Sequence, residues 1–138
     1  RKKPVWIFKR DAETLKSLKS ESLLNVLADP EGSGNSKNQQ PKYVTPNYRS
    51  IEGKEELAVI VGVCTHLGCS PTYRPEPGAA DLGGDSWQGG FYCPCHGSKF
   101  DLAGRVYAGV PAPTNLMIPP YSFVSETLIR IGVDPATS

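Results

Sequence analysis

Cys64-Thr65-His66-Leu67-Gly68-Cys69 and Cys93-Pro94-Cys95-His96-Gly97-Ser98 are the stretches on which this sequence turns, because they hold all four of its cysteines and both of its histidines. Each follows a short apolar run of strand composition: Leu57 to Val63 leads into Cys64, and Gly90 to Tyr92 leads into Cys93. Two strands thus end in two loops rich in soft metal donors. A lone Cys-x-His arises easily by chance, whereas two Cys and His pairs, each at the end of a strand-like run, are hard to account for as packing. The four Cys and two His exceed the donors of a tetrahedral zinc site, and the i, i+2 spacing of Cys64 and His66 departs from zinc-finger spacings, so a structural zinc module is a poorly matched alternative.

Outward from these loops the chain reads as all-β with minor α. The 13 Pro and 14 Gly, concentrated after Thr45, punctuate short apolar runs as in a turn-rich β domain. Val5 to Lys9 has strand composition, and Arg105 to Tyr107, Tyr121 to Val124 and Leu128 to Val133 read as further short strands. Asp11 stands where a helix N-cap would, ahead of Leu15 and Leu18; Leu23, Leu24, Val26 and Leu27 extend an apolar stripe that Pro30 closes. Glu31 to Pro46 reads as a polar surface loop. The stretch Tyr73 to Gly89, rich in Pro, Gly and Asp and without helical period, reads as a long excursion off the scaffold. Asp101 and Arg105 are placed to form a structural ion pair.

Composition bounds the rest. The 138 residues suit a single domain, 1–138. Fifteen Lys and Arg against fourteen Asp and Glu, without a block of like charges, give no sign of a nucleic-acid partner. The longest apolar run, Leu57 to Val63, falls far short of the about 20 residues that a membrane span needs. Because the sequence starts at Arg1 without Met, it is expected to be a processed piece from which an anchor or export signal has been lost.

The pattern Cys-x-His-x-x-Cys with Cys-x-Cys-His resembles the signature of the Rieske iron-sulfur family, whose ligand set is a known one. The resemblance implies a Rieske fold: an antiparallel β-sandwich scaffold with one or two short helices and a small cluster-binding subdomain at about 62–116. It implies one [2Fe-2S] cluster, with Cys64 and Cys93 on one iron and His66 and His96 on the other, more exposed iron. It also implies a disulfide between Cys69 and Cys95, which on a chain-entropy estimate stabilises by ~3 to 4 kcal/mol and persists only outside a reducing cytosol.

Charge counting explains the histidines. Two ferric ions, two sulfides and two thiolates sum to zero, and neutral imidazoles leave that sum unchanged; four thiolates would make it a dianion. Reduction is correspondingly easier, so the class spans about −150 to +300 mV where all-thiolate plant-type centres lie near about −400 mV. The imidazole nitrogen not bound to iron keeps a proton that is held more tightly on reduction, coupling electron to proton uptake. His66 and His96 are then the working surface for a hydroquinone.

By the same resemblance Ser98 donates its hydroxyl to a bridging sulfide and favours the reduced state. High-potential members carry a Tyr two residues further on; here Phe100 stands there, so that donor is missing and a lower potential is expected. Gly109-Val110-Pro111-Ala112-Pro113 resembles the proline loop that shields the cluster, with Val110 where many members have Gly. Leu67 matches an apolar residue exposed for docking.

The two extra cysteines, which oxygenase ferredoxins and ring-hydroxylating oxygenases normally lack, favour the Rieske subunit of a bacterial cytochrome bc complex. This implies a membrane-anchored full-length protein at the periplasmic face of the inner membrane, taking an electron from quinol beside cytochrome b and passing it to a cytochrome c-type haem. A Rieske ferredoxin, a plastoquinol complex subunit and the small subunit of an oxygenase or arsenite oxidase are the alternatives.

Overall fold

A computed structural model of the chain describes residues 4–32, 34, 39–65, 68–84, 87–126 and 128–132. In chain order the elements are β1 (Val5–Lys9), α1 (Ala12–Ser17), α2 (Glu21–Leu24), β2 (Leu57–Val61), β3 (Thr72–Arg74), β4 (Gly90–Tyr92), β5 (Lys99–Asp101), β6 (Tyr121–Ser125) and β7 (Leu128–Ile131). The strands form three small antiparallel sheets, β1-β2, β3-β4-β5 and β6-β7, as the all-β reading with minor helix required.

β2 is apolar at every position, a pattern that suits a strand covered on both faces, and Ala58 to Val61 are all buried. β1 pairs with it from Val5↔Val61 to Lys9↔Leu57. Trp6 of β1 stacks on Phe91 of β4 at 4.9 Å between ring centroids, and Phe8 meets the same ring edge-on at 5.7 Å, so aromatic packing joins the first sheet to the second. One apolar core runs beneath both, from Leu18 and Leu23 of the helical segment through Val59 and Ile60 to Phe91, Phe100 and Leu116. The Asp11 cap forms as expected, its carboxylate accepting from the Thr14 N–H at 2.8 Å.

Two expectations are corrected, and one strand is added. Arg105 to Tyr107 is not a strand; only isolated bridges occur, Val106 to Phe100 and Tyr107 to Leu27. The Val106 N–H is taken instead by the Asn115 side chain at 2.8 Å, which removes it from any ladder. Conversely Lys99–Asp101 is a strand, paired with β4 through Phe91↔Phe100.

The second correction concerns 73–89, whose described residues are anchored to the scaffold. It begins inside β3, and Leu82 and Trp87 are driven into the core by their apolar area, each about 2% exposed or less. The Trp87 indole N–H donates to the Arg74 carbonyl at 3.2 Å and the ring stacks on Tyr107 at 5.8 Å. Among the described residues no helix is long and apolar enough to cross a membrane. β7 stops at Ile131, and Val133 lies outside the described residues.

Candidate metal centre

β2 delivers Cys64 and β4 delivers Cys93, and the two loops that follow close in the same way. The Cys64 N–H donates to the Cys69 carbonyl at 2.7 Å and the Gly68 N–H returns to the Cys64 carbonyl at 3.0 Å. The Cys93 N–H donates to the Ser98 carbonyl at 2.8 Å and the Gly97 N–H returns to the Cys93 carbonyl at 2.9 Å. Each turn reverses through a left-handed glycine, Gly68 at φ 79° and Gly97 at φ 85°, a conformation that side-chain-bearing residues disfavour. The shared Cys-x-x-x-Gly spacing therefore sets a shared backbone shape, with a buried thiol at the head of each turn.

A Cys69–Cys95 disulfide joins the loops. The sulfurs of Cys69, Cys93 and Cys95 lie within 4.8 Å of one another, but two of them are spent on that bridge, leaving Cys93 as the thiol of the group that could hold a metal. Cys64 and Cys93 are each 2% exposed, whereas Pro94, Cys95 and His96 are exposed. Two thiols in a dry interior and an imidazole at an exposed loop tip form a donor set that fits an iron-sulfur centre with one shielded and one accessible metal. Both thiols must be deprotonated to bind, and the bound metal supplies the compensating charge.

The Gly109–Pro113 segment is fastened to the second loop at Ala112, and the residue that follows it, Thr114, is fastened to the first. The Ser98 hydroxyl, fully buried, accepts from the Ala112 N–H at 3.0 Å, which leaves its own proton to be donated elsewhere. The Thr65 hydroxyl donates to the Thr114 carbonyl at 2.8 Å. Pro111 is exposed just ahead of these two ties, and Val110 is half-buried against the core. Phe100 is fully buried on β5, two residues past Ser98.

Behind β5 the turn 101–105 is held by charge. Asp101 and Arg105 form the expected pair, Nε to Oδ2 at 2.7 Å with neither side chain exposed, and Asp101 also accepts from the Ala103 and Arg105 N–H groups. Arg10 donates to the Leu102 carbonyl at 3.1 Å, and Arg49 to the Ala103 and Leu116 carbonyls at 3.0 and 2.6 Å. Burial pushes the Arg49 guanidinium down to about 9 and that of Arg10 down to about 10, with Asp101 pulling both upward; both remain charged at neutral pH.

Of the residues singled out from sequence, Cys64, Cys93, Ser98, Phe100, Cys69, Cys95 and His96 are brought to one end of the β3-β4-β5 sheet and the loops it feeds. His66 and Leu67 lie outside the described residues. Sequence reasoning missed Thr65, whose only signal was a hydroxyl inside the first motif. It also missed Arg10 and Arg49, which nothing in the local sequence distinguishes from surface cations.

Residues 35–122 match the Rieske [2Fe-2S] domain family, and the chain belongs to that family: it is a [2Fe-2S] domain. It is 54% identical to the ubiquinol-cytochrome c reductase iron-sulfur subunit of Allochromatium vinosum over 97% of this chain and 61% of that protein. The corresponding subunit of Blastochloris viridis is 43% identical over 99% of this chain and 62% of its own length. The mitochondrial cytochrome b-c1 complex subunit Rieske of Solanum tuberosum is 39% identical over 96% of this chain and 40% of its own length. The chain thus spans about three fifths of the length of the bacterial relatives it matches.

Proposed function

We propose that this chain is the cluster-bearing part of an electron-transfer subunit of a quinol:cytochrome c oxidoreductase. The observation that carries the reading is the pair of matching cysteine turns locked together by the Cys69–Cys95 bridge, with His96 at an exposed tip. Cys64 and Cys93 would hold the buried iron, and His66 and His96 the outer one. When bound, the group supplies a one-electron acceptor of mild potential.

The protein's residues do the rest. His66 and His96 would each offer a ring N–H to a quinol oxygen, so that the residues holding the group would also be the ones that take up a proton. Ser98, whose oxygen takes the Ala112 N–H, would have its hydroxyl proton left to donate to a bridging sulfide, favouring the reduced state. Gly109–Pro113, including Pro111, excludes water from the flank that Ser98 and Thr65 pin. Leu67 would present an apolar contact to cytochrome b, and a cytochrome c-type haem would take the electron onward. On this reading 62–116 is the cluster-binding subdomain of a single domain; the bridge supports an oxidising compartment, and the compartment proposed is the periplasmic face of the bacterial inner membrane, with the chain as part of a membrane-anchored protein.

EPR of the reduced, cluster-loaded protein tests the ligands, and a potentiometric titration across pH tests the substrate. A positive midpoint that falls as pH rises above about 7 is expected. A pH-independent midpoint near about −150 mV would overturn the quinol reading in favour of a ferredoxin.

A further inference from the structure

Four charged side chains meet around the 101–105 turn, and their charges do not cancel. Arg10, Arg49 and Arg105 are 3%, 1% and 0% exposed, and Asp101, fully buried, is the one carboxylate among them. Ion pairing does not satisfy Arg10 and Arg49; backbone carbonyls do. Arg49 donates to Gln39, Ala103 and Leu116 carbonyls and to the Gln40 side chain, and Arg10 to Glu55 and Leu102 carbonyls and the Ser50 hydroxyl. Glu55 and Asp29, which also attract these cations, are half-exposed and therefore screened by water.

Burying uncompensated cations is unfavourable, and Arg49 in addition adopts a left-handed φ of 54°, which a residue with a side chain disfavours. Packing alone would be better served by apolar groups. The turn is also close to the metal site along the sheet. Asp101 pairs with Gly90, three residues before Cys93, and Leu102 and Ala103 follow at once. At about 3.3 Å per strand residue Gly90 lies on the order of 10 Å from Cys93, and the guanidiniums bonded to the 102 and 103 carbonyls lie just beyond it.

We propose that Arg10 and Arg49 are electrostatic positioning residues that raise the reduction potential of the centre, stabilising the negative charge that enters with the electron. The inference rests on the ligand reading above. With an effective dielectric of about 20, one such charge changes the reduction equilibrium roughly tenfold, about 59 mV for one electron.

The test is a midpoint measurement on cluster-loaded Arg49→Met, Arg49→Lys and Arg10→Met, made at pH 5 because burial can pull a lysine down to about 5 to 6. Arg74→Gln serves as the control. Arg74 pairs with the same Gly90 as Asp101 but is partly exposed and bonded to Asp81 at 3.0 Å. The expected result is an intact EPR signature throughout, a fall of about 59 mV in both Met variants, a near-native value in Arg49→Lys, and none in Arg74→Gln. Should Arg49→Met fail to fold, Arg10→Met, whose Glu55 partners water can replace, decides alone. Unchanged midpoints in the Met variants would overturn the proposal, as would an equal fall in Arg49→Lys or Arg74→Gln. Loss of the EPR signature in the wild type would instead count against the ligand reading itself.

Discussion

The loops Cys64–Cys69 and Cys93–Ser98 share two backbone hydrogen bonds and a left-handed glycine, yet they end on different residues and brace different neighbours. In the first, the disulfide cysteine is the last residue of the turn, and the brace is the half-buried Thr65 reaching Thr114. In the second, the disulfide cysteine is the third residue, and the turn ends on fully buried Ser98, which takes the Ala112 N–H. The bridge therefore ties the closing residue of one turn to the exposed tip of the other. The common turn places a buried thiol at the head of each loop; the differing ends decide how firmly each loop is held.

The severest way to break the equivalence is to remove the thiols. Cys64→Ser and Cys93→Ser are each expected to abolish the reduced-state EPR signal and the visible absorption of the loaded protein; retention of either signal would show that the matching turns do not carry matching ligands. Next comes the bridge. Cys69→Ser, Cys95→Ser and the double variant are expected to lose the same stability, about 3 to 4 kcal/mol by denaturant unfolding, because all three remove one bond. Unequal losses would mean that one sulfur has a second structural role.

The braces give a graded comparison. Ser98→Ala leaves a buried N–H without its acceptor and is expected to cost about 1 to 3 kcal/mol and to lower the midpoint, whereas Thr65→Val, at a half-buried site, is expected to cost about 0.5 to 1.5 kcal/mol. A reversed order in chemical unfolding would move the weight of the proline loop from the second ligand loop to the first. The smallest effect is expected at Phe100→Tyr. A hydroxyl there restores the donor that high-potential relatives carry and should raise the midpoint by tens of millivolts, on a scale of about 59 mV per tenfold. An unmoved voltammetric midpoint would show that the buried ring cannot direct its hydroxyl at a ligand sulfur.

Much of the site was legible because its signals are local. A cysteine, a glycine four residues on and a strand ahead define each turn within one short window, and Asp11 capping α1 is equally local. The strand at Val5–Lys9 and the apolar run of β2 were read correctly from period and composition. Lys99–Asp101 was not singled out because one aromatic between two charged residues is too short a signal to stand alone; pairing with β4 makes it a strand. Arg105 to Tyr107 failed for the converse reason: suitable composition, but N–H groups claimed by Asp101 and Asn115. The 73–89 segment looked detached because proline and glycine dominate it, while two large side chains, Leu82 and Trp87, settle where it goes.

The sequence by itself determined the donor types, their spacing, the two turns and the family, since metal chemistry and backbone sterics act over a few residues. Only the tertiary structure decided that Thr65 and Ser98 brace one proline loop from two sides. It alone brought Arg10 and Arg49, distant in sequence, to the carbonyls of a single turn behind Cys93. Burial and long-range hydrogen bonding exist only once the chain has closed on itself, and those two effects distinguish a surface cation from one that acts on the centre.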